Sequence, residues 1–392
     1  MAQGREFDVI VYGATGYTGR LVAEYLTDAY ADGSVKWAMA GRSADKLAAV
    51  RDEIGAPAET PLIVADADDP ASLAQMTERA NCIATTVGPY QLYGEPLVAA
   101  CAESGTDYVD LCGEPAWMRR MIDAYGEKAK ASGARIVFCC GFDSIPFDLG
   151  VLYLQNAAKA RFGKPAPRVK GRVRAMNGKF SGGTAASLRA TMEAAGKDPS
   201  IIELLRNPFA LAPGFEGPAQ PHGMAPEYDD AFGQWVAPFV MAPINTKNVH
   251  RSNFLMGHAF GREFVYDEMM AAGPGDAGEE MAKAIANTQL IGGDDDPKPG
   301  EGPTKEERDN GSYDLLFIGE YPDGGQVRAA VTGDKDPGYG STSKMLAEAA
   351  ICLVRDCKDT PGGVWTPAPA MGDALIDRLA SKAGLTFELE TA

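Results

Sequence analysis

Val9-Ile10-Val11-Tyr12-Gly13-Ala14-Thr15-Gly16-Tyr17-Thr18-Gly19-Arg20-Leu21 decides the fold of this chain. An apolar run stops at a glycine, two more glycines follow at intervals of three, and an amphipathic pattern begins at once and continues to Ala29. That reads as a strand, a tight turn and a helix N-terminus, the layout that receives a dinucleotide pyrophosphate. Gly13 allows the turn, Gly16 lets the backbone approach the phosphates, and Gly19 lets the helix lie close to the strand. Ala14, Thr15, Tyr17 and Thr18 complete the turn and are assigned to the cofactor with the glycines. The spacing G-x-x-G-x-x-G departs from the commoner G-x-G-x-x-G, and ordinary loops also contain such triplets. Its place on the first strand, directly ahead of an amphipathic segment, strengthens the reading.

Working outward, Val35 to Gly41 reads as a second strand ending in Gly41-Arg42-Ser43. An NAD enzyme usually carries an acidic residue here to hold the ribose 2′-hydroxyl; a cation would instead meet a 2′-phosphate. Arg42 and Ser43 therefore point to NADP, the alternative being a solvated arginine at a strand end. Ser43 also starts a helix through Ile54. Leu62 to Asp66 is a third strand, with Asp66 and Ala67 at the edge where the adenine lies, and Asp68 or Asp69 able to cap the next helix. Cys82 to Val87 is a fourth, and Val87, Gly88 and Pro89 fall beside the nicotinamide ribose. Tyr108 to Leu111 is a fifth strand, followed by Cys112-Gly113-Glu114; Ile136 to Cys140 is a sixth, followed by Gly141-Phe142-Asp143-Ser144. Cys112, Gly113, Phe142 and Asp143 join the cofactor-edge set, although Cys112 also suits a core and Asp143 or Ser144 a helix cap. Six alternating strands and helices make a complete doubly wound dinucleotide domain.

The pattern then changes. Val169 to Met176 alternates charged and apolar residues, as a half-exposed antiparallel strand does. Phe180 to Leu188 is a glycine turn leading into a helix through Ala195, and Pro208 to Pro243 reads as a long loop with short ordered pieces. A helix is expected from Glu279 to Leu290, and the acidic run Asp294-Asp295-Asp296 reads as solvated loop. Tyr313–Tyr321 and Gln326–Gly333 read as a hairpin. Helices follow from Lys344 to Asp356 and from Met371 to Ala383. The Met/aromatic density between Tyr228 and Met270 suits a pocket for an apolar substrate, ordinary core or a dimer face.

Composition narrows the classes. A chain of 392 residues has room for two domains, and 45% apolar residues with 45 glycines suits an α/β enzyme. A net charge of -17 argues against nucleic acid and anionic lipid. Seven scattered cysteines with no C-x-x-C suit buried thiols in a cytoplasmic protein, and three separated histidines suggest no metal site. The segment Met1 to Asp8 does not read as a signal peptide, and no run is long enough to span a membrane.

No triad, P-loop or paired-carboxylate site stands out, so a cofactor must carry the reaction. Tyr90 and Tyr93, after the fourth strand, are candidate hydrogen-bond or proton donors, or an aromatic wall on the cofactor. Ser181 to Thr184 offers backbone N–H groups and the Thr184 hydroxyl to a carbonyl oxygen, or serves only as turn and cap.

Taken together, Gly13 to Gly19, Ala40-Gly41-Arg42-Ser43, Val87-Gly88-Pro89-Tyr90, Tyr108 to Glu114, Gly141 to Gly150, Ser181-Gly182-Gly183-Thr184 and Gly338 to Thr342 resemble the saccharopine dehydrogenase-like oxidoreductases, most closely their trans-acting enoyl reductase branch. The resemblance spans nearly the whole chain. It implies an α/β architecture: a Rossmann-type doubly wound parallel sheet over 1–148, an inserted α+β second domain over 149–338 for substrate or dimerisation, and C-terminal helices over 339–392 returning to the first. It also implies NADPH and reduction of the C=C bond of a polyketide or lipid enoyl thioester, free or carrier-bound. Tyr90, Tyr93 and Thr184 are the candidate catalytic residues. An imine- or amino-acid-forming dehydrogenase and a non-catalytic NADP-binding protein are the alternatives. A homodimer is compatible with the apolar second half.

Overall fold

The apolar segments Phe7–Tyr12 (β1), Trp37–Gly41 (β2), Leu62–Val64 (β3), Ala80–Thr85 (β4), Asp107–Val109 (β5) and Arg135–Val137 (β6) alternate with helices Tyr17–Ala29 (α1), Ala44–Glu53 (α2), Pro70–Arg79 (α3), Tyr90–Tyr93 (α4), Glu95–Ser104 (α5), Pro115–Ser132 (α6) and Ile145–Phe162 (α7). The computed structural model describes residues 4–179, 182–288, 298 and 300–391. Phe180, Ser181, the end of the expected helix at Leu290 and the acidic run Asp294 to Asp296 lie outside them.

All six strands are parallel, and a seventh, Gly363–Trp365, which is β13 in chain order, pairs with β6. The sheet order is β13-β6-β5-β4-β1-β2-β3. Helices cover both faces, so β1 is apolar on both: Val9, Val11 and Ile10 are all fully buried. Val9 and Val11 pack with α1 residues Val22 and Leu26; Ile10 packs on the opposite side with Val98 of α5 and Met118 of α6. β13 was not anticipated, because three residues carry too little periodicity to register.

After α7 come Arg168–Asn177 (β7), Gly182–Lys197 (α8), Pro199–Arg206 (α9), Glu227–Asp229 (β8), Gln234–Pro238 (β9), Ala242–Leu255 (α10), Val265–Gly273 (β10), Gly275–Asn287 (α11) and Lys305–Asp309 (α12). Ser312–Glu320 (β11) and Gln326–Gly333 (β12) form the expected hairpin, turned at Gly324 with φ 85°. Thr342–Arg355 (α13), β13, Pro367–Arg378 (α14) and Leu385–Glu390 (β14) finish the chain. The second sheet runs β14-β12-β11-β7-β10-β9-β8. α13 lies against β1, β4 and β5 of the first sheet, whereas β14 pairs with β12 of the second. The last fifty residues thus fasten both sheets together.

β7 departs from the half-exposed antiparallel strand expected of its alternation. It lies inside the sheet, parallel to β10 and antiparallel to β11. Its charged side chains are covered because carboxylates meet them. Arg172, 1% exposed, donates to Asp229 (2.7 Å) and Asp267 (2.9 Å). Lys170 reaches Asp229 at 2.9 Å, and Arg168 pairs with Asp267. Charge alternation is silent about whether partners arrive from elsewhere. Removing one member of a buried ion pair leaves its partner stranded at about 3–5 kcal/mol. Arg172→Ala is therefore expected to lower unfolding free energy by that order in urea titration, while Arg174→Ala, at a half-exposed site, costs far less.

Candidate functional site

At the end of β1 the chain turns through Gly13 at φ 91°, and the amides of Gly13 and Ala14 both donate to the Ala40 carbonyl of β2, at 3.0 and 3.1 Å. A Cβ on Gly13 would lie 2.7 Å from Thr86 Oγ1, and one on Gly19 would lie 2.1 Å from the Gly13 carbonyl oxygen. Only glycine lets α1 begin this close to the turn. Gly16 is the N-cap residue, exposed, without a side-chain cap, and no acidic residue occupies the first turn. The amides of Tyr17, Thr18 and Gly19 have no intrahelical acceptor in that position and present positive charge to an anion. Thr15 lies beside Gly41, so the turn abuts the end of β2.

Arg42 is exposed there and forms no ion pair among the described residues. The Ser43 hydroxyl accepts from the Lys46 amide and caps α2. Asp69 caps α3, and the Asp66 carboxylate folds onto the Asp68 amide at 3.1 Å, beside buried Ala67. Tyr17 contributes its backbone alone to the turn. Its hydroxyl donates to the Pro303 carbonyl and accepts from Arg308, and its ring packs edge-on to Tyr339.

Buried acids hold the remaining strand-end loops. Glu114, 2% exposed, accepts the amides of Tyr90 (2.9 Å) and Gln91 (2.8 Å), pinning α4 after Val87, Gly88 and Pro89. Asp110 accepts from the Cys112 amide (3.0 Å), the Cys139 amide (2.9 Å) and the Tyr108 hydroxyl (2.8 Å), tying the β5 loop to the β6 loop. Burial raises the Asp110 carboxyl to about 7 against those three bonds. Cys112 is fully buried, its sulfur accepting from the Glu114 amide, and Gly113 faces Ile244 of α10. The Phe142 ring enters the core against Phe147 and Tyr313, while its amide donates to Thr342 Oγ1 at 2.9 Å.

The candidate hydroxyls separate. Tyr90 is buried, donates to the Thr85 carbonyl and accepts from the Leu111 amide, so its hydroxyl holds backbone together. Burial pushes its pKa well above the usual tyrosine value. Tyr93 is 41% exposed on the same short helix. Thr184 Oγ1 lies 3.0 Å from the Tyr339 hydroxyl, and Gln91 donates to Thr191 at 3.1 Å. α8 therefore spans from the Tyr17–Tyr339 contact beside the glycine turn to α4. Neither candidate cap of α7 functions as one: Ser144 is the N-cap residue, yet its side chain caps nothing. Its hydroxyl accepts instead from Asn248, because α10 packs over that loop. Asp143 is half-buried, with Oδ1 enclosed and unpartnered among the described residues. Asn245, Asn248 and Glu268 of this region were missed; the largely polar run from Asn245 to Asn253, set between apolar stretches, was the available signal.

Comparison with known proteins accords with this geometry. Residues 9–137 match the saccharopine dehydrogenase NADP-binding domain model. A putative trans-acting enoyl reductase of Mycobacterium tuberculosis is 42% identical, covering 99% of this chain and 98% of that protein. A trans-acting enoyl reductase of Mycobacterium ulcerans is 39% identical over 96% of each. The fold is similar to saccharopine dehydrogenase (L-Glu forming) of Saccharomyces cerevisiae, with TM-score 0.55 and 12% identity over 98% of this chain and 100% of that one.

Gly19→Ala is expected to weaken NADPH binding at least about tenfold, equivalent to about 1.4 kcal/mol, in a fluorescence titration. Glu114→Gln places an NH2 group against one of the two amides, and a buried amide left unpaired costs about 1–3 kcal/mol. The melting temperature should fall by a matching amount.

Proposed function

The chain belongs to the saccharopine dehydrogenase-like family, in its trans-acting enoyl reductase branch, and on that premise we propose that it reduces the C=C bond of a lipophilic enoyl thioester with NADPH. It is an NADP-dependent oxidoreductase. The observation that carries the reading is the uncapped α1 N-terminus, held against the Gly13 turn, with exposed Arg42 at the end of β2.

In this reading the amides of Tyr17, Thr18 and Gly19 receive the pyrophosphate, and Arg42 the 2′-phosphate. Asp66 and Ala67 border the adenine. Val87, Gly88, Pro89, Cys112, Gly113 and the Phe142–Asp143 backbone border the nicotinamide half. Bound NADPH supplies a hydride to the β-carbon. Tyr93 and Thr184 donate hydrogen bonds to the thioester oxygen as charge develops on it. Tyr90 acts as a positioning residue through the Thr85–Leu111 backbone. Residues 1–148 hold the cofactor, 149–338 the substrate, and 339–392 join the two.

A lipophilic substrate is supported by the apolar side chains on α4 and α8: Leu92 and Tyr93, then Leu188 and Met192, are all exposed. The name trans-acting, borne by the relatives, supports a thioester presented by a separate carrier protein. Among the described residues no helix is long and apolar enough to cross a membrane. All seven cysteines are buried free thiols, which supports a reducing, cytoplasmic setting.

Titration with NADPH and NADH tests the cofactor half. A hydrogen-bonded charge contact is worth about 1.5–3 kcal/mol, so Arg42→Ala should raise the Kd for NADPH about ten- to a hundredfold and leave NADH unchanged. Equal or tighter NADH binding by the wild type overturns the Arg42 assignment. Turnover of keto acids with amines, and of no enoyl thioester, overturns the substrate reading.

A further inference from the structure

α10 is a polar helix buried along its middle: Asn245 and every residue from Lys247 to Asn253 are buried. Polar helices normally lie in water, so each buried group requires an account. Arg251 donates to the Leu211 and Val364 carbonyls, Ser252 bonds Thr366, and Asn253 bonds the Phe260 amide and the Gly261 carbonyl. Those groups bolt the helix in place.

One face is different. Ile244 lies against Gly113 at the end of β5. Asn248 donates to Ser144 Oγ at 2.8 Å, in the loop that ends β6. Asn245 donates to Glu268 Oε2 at 2.9 Å, and Tyr266 donates to Glu268 Oε1 at 2.9 Å. Glu268 is 1% exposed on β10. β7 leaves room for it at Gly171, where a Cβ would lie 2.9 Å from the Tyr266 oxygen and 3.1 Å from Glu268 Cγ. Asn245 Oδ1, Asn248 Oδ1 and Asp143 Oδ1 are enclosed and have no partner among the described residues. Asn248 bonds Ser144, the neighbour of Asp143, and Asn245 bonds Glu268, so these three unserved acceptors lie along the line where α10 joins the β6 loop to β10. A carboxyl that carries a proton supplies a donor.

We propose that Asp143 is the general acid of this enzyme, delivering a proton to the α-carbon of the substrate, with Glu268, Asn245 and Asn248 as positioning residues. The proposal rests on the enoyl-reduction reading. After hydride addition at the β-carbon, the electron pair of the resulting enolate forms a C–H bond at the α-carbon as the Asp143 O–H bond breaks. The thioester carbonyl re-forms, and the carboxylate regains its proton from water. The two electrons of the reduction come from NADPH.

The electrostatics agree with that role. Burial raises the Asp143 carboxyl to about 7, close to the working range that suits a general acid. Burial also raises Glu268; its bonds to Asn245 and Tyr266 oppose the rise, and Asp143 adds to it. The ionisable groups of the surrounding layer are Glu268 on β10, Asp148 on α7, and Asp110 and Cys139 in the strand-end loops. Lys247 and Arg251 of α10 give hydrogen bonds to backbone carbonyls, and no cation pairs with Asp143 among the described residues.

The test compares wild type, Asp143→Asn and Glu268→Gln, each with NADPH and the N-acetylcysteamine thioester of trans-2-dodecenoic acid. Asp143→Asn should lose at least about a hundredfold in kcat, the usual scale for a general acid, with NADPH affinity and melting temperature unchanged. Wild-type kcat should fall as pH rises through about 7, because the acid must be protonated. Glu268→Gln should displace that limb. Infrared difference spectra of the NADPH complex should show a carboxylic acid band that Asp143→Asn abolishes. Retention by Asp143→Asn of both wild-type kcat and an unmoved limb overturns the acid assignment alone. A wild type inert toward enoyl thioesters overturns the enoyl reading, and the acid assignment with it.

Discussion

The approach of α1 to the Gly13 carbonyl is the contact from which the rest of the site follows. At 2.1 Å from that oxygen, a Cβ on Gly19 cannot exist without moving the helix. Held there, α1 points its free amides over the end of β1, and Gly41 of the neighbouring strand lies against Thr15. Arg42 then follows directly. In the proposed reading, phosphate binding and preference for a 2′-phosphate both follow from one backbone contact and one adjacent strand. The dipole and the unpaired amides act together at that point and reinforce each other.

The other loops on this edge face the opposite problem. Their amides also point away from the sheet, yet they must not compete for the cofactor. Buried carboxylates absorb them: Glu114 takes two amides of α4, Asp110 takes those of Cys112 and Cys139, and Asp336 takes those of Tyr339 and Gly340. Asp148 does the same for Ala368, across to the C-terminal segment. A buried carboxylate accepting several amides is well compensated, and the bonds of Glu114, of Asp110 to Cys139 and of Asp148 cross between chain segments. The loops around the cleft are therefore set by side chains outside it.

The first half of this architecture was legible because its signals are local. Parallel strands covered on both faces leave continuous apolar runs, and glycine at 13 and 19 is required by backbone geometry. Ser43 as a cap, the hairpin at Gly324 and the six-strand alternation follow in the same way. The second half depends on pairings distant in sequence. β7 looked half-exposed because nothing near it announces that Asp229 and Asp267 will meet Arg172. β13 and β14 are short and pair with strands far upstream, β6 and β12. Glu114 was visible as a residue, but its partners lie twenty-four and twenty-three positions upstream. Tyr90 looked like a free hydroxyl because the Leu111 amide that occupies it arrives from another strand.

α10 shows why the second sheet does more than shelter a substrate. A helix of asparagines, a lysine, a histidine and an arginine gains little by burial, and an apolar helix would pack there at lower cost. The cost is met by bonds to four separate segments: the β6 loop, β10, the Leu211 loop and β13. Such a helix fits in one register only, since a shift of one residue would strand several buried groups at once. The result is that Ser144, in the loop that follows β6 of the first sheet and next to Asp143, is held by Asn248 of a helix bonded to the second. Cofactor binding in the proposed reading draws on one sheet, whereas the proposed proton delivery draws on the junction between both.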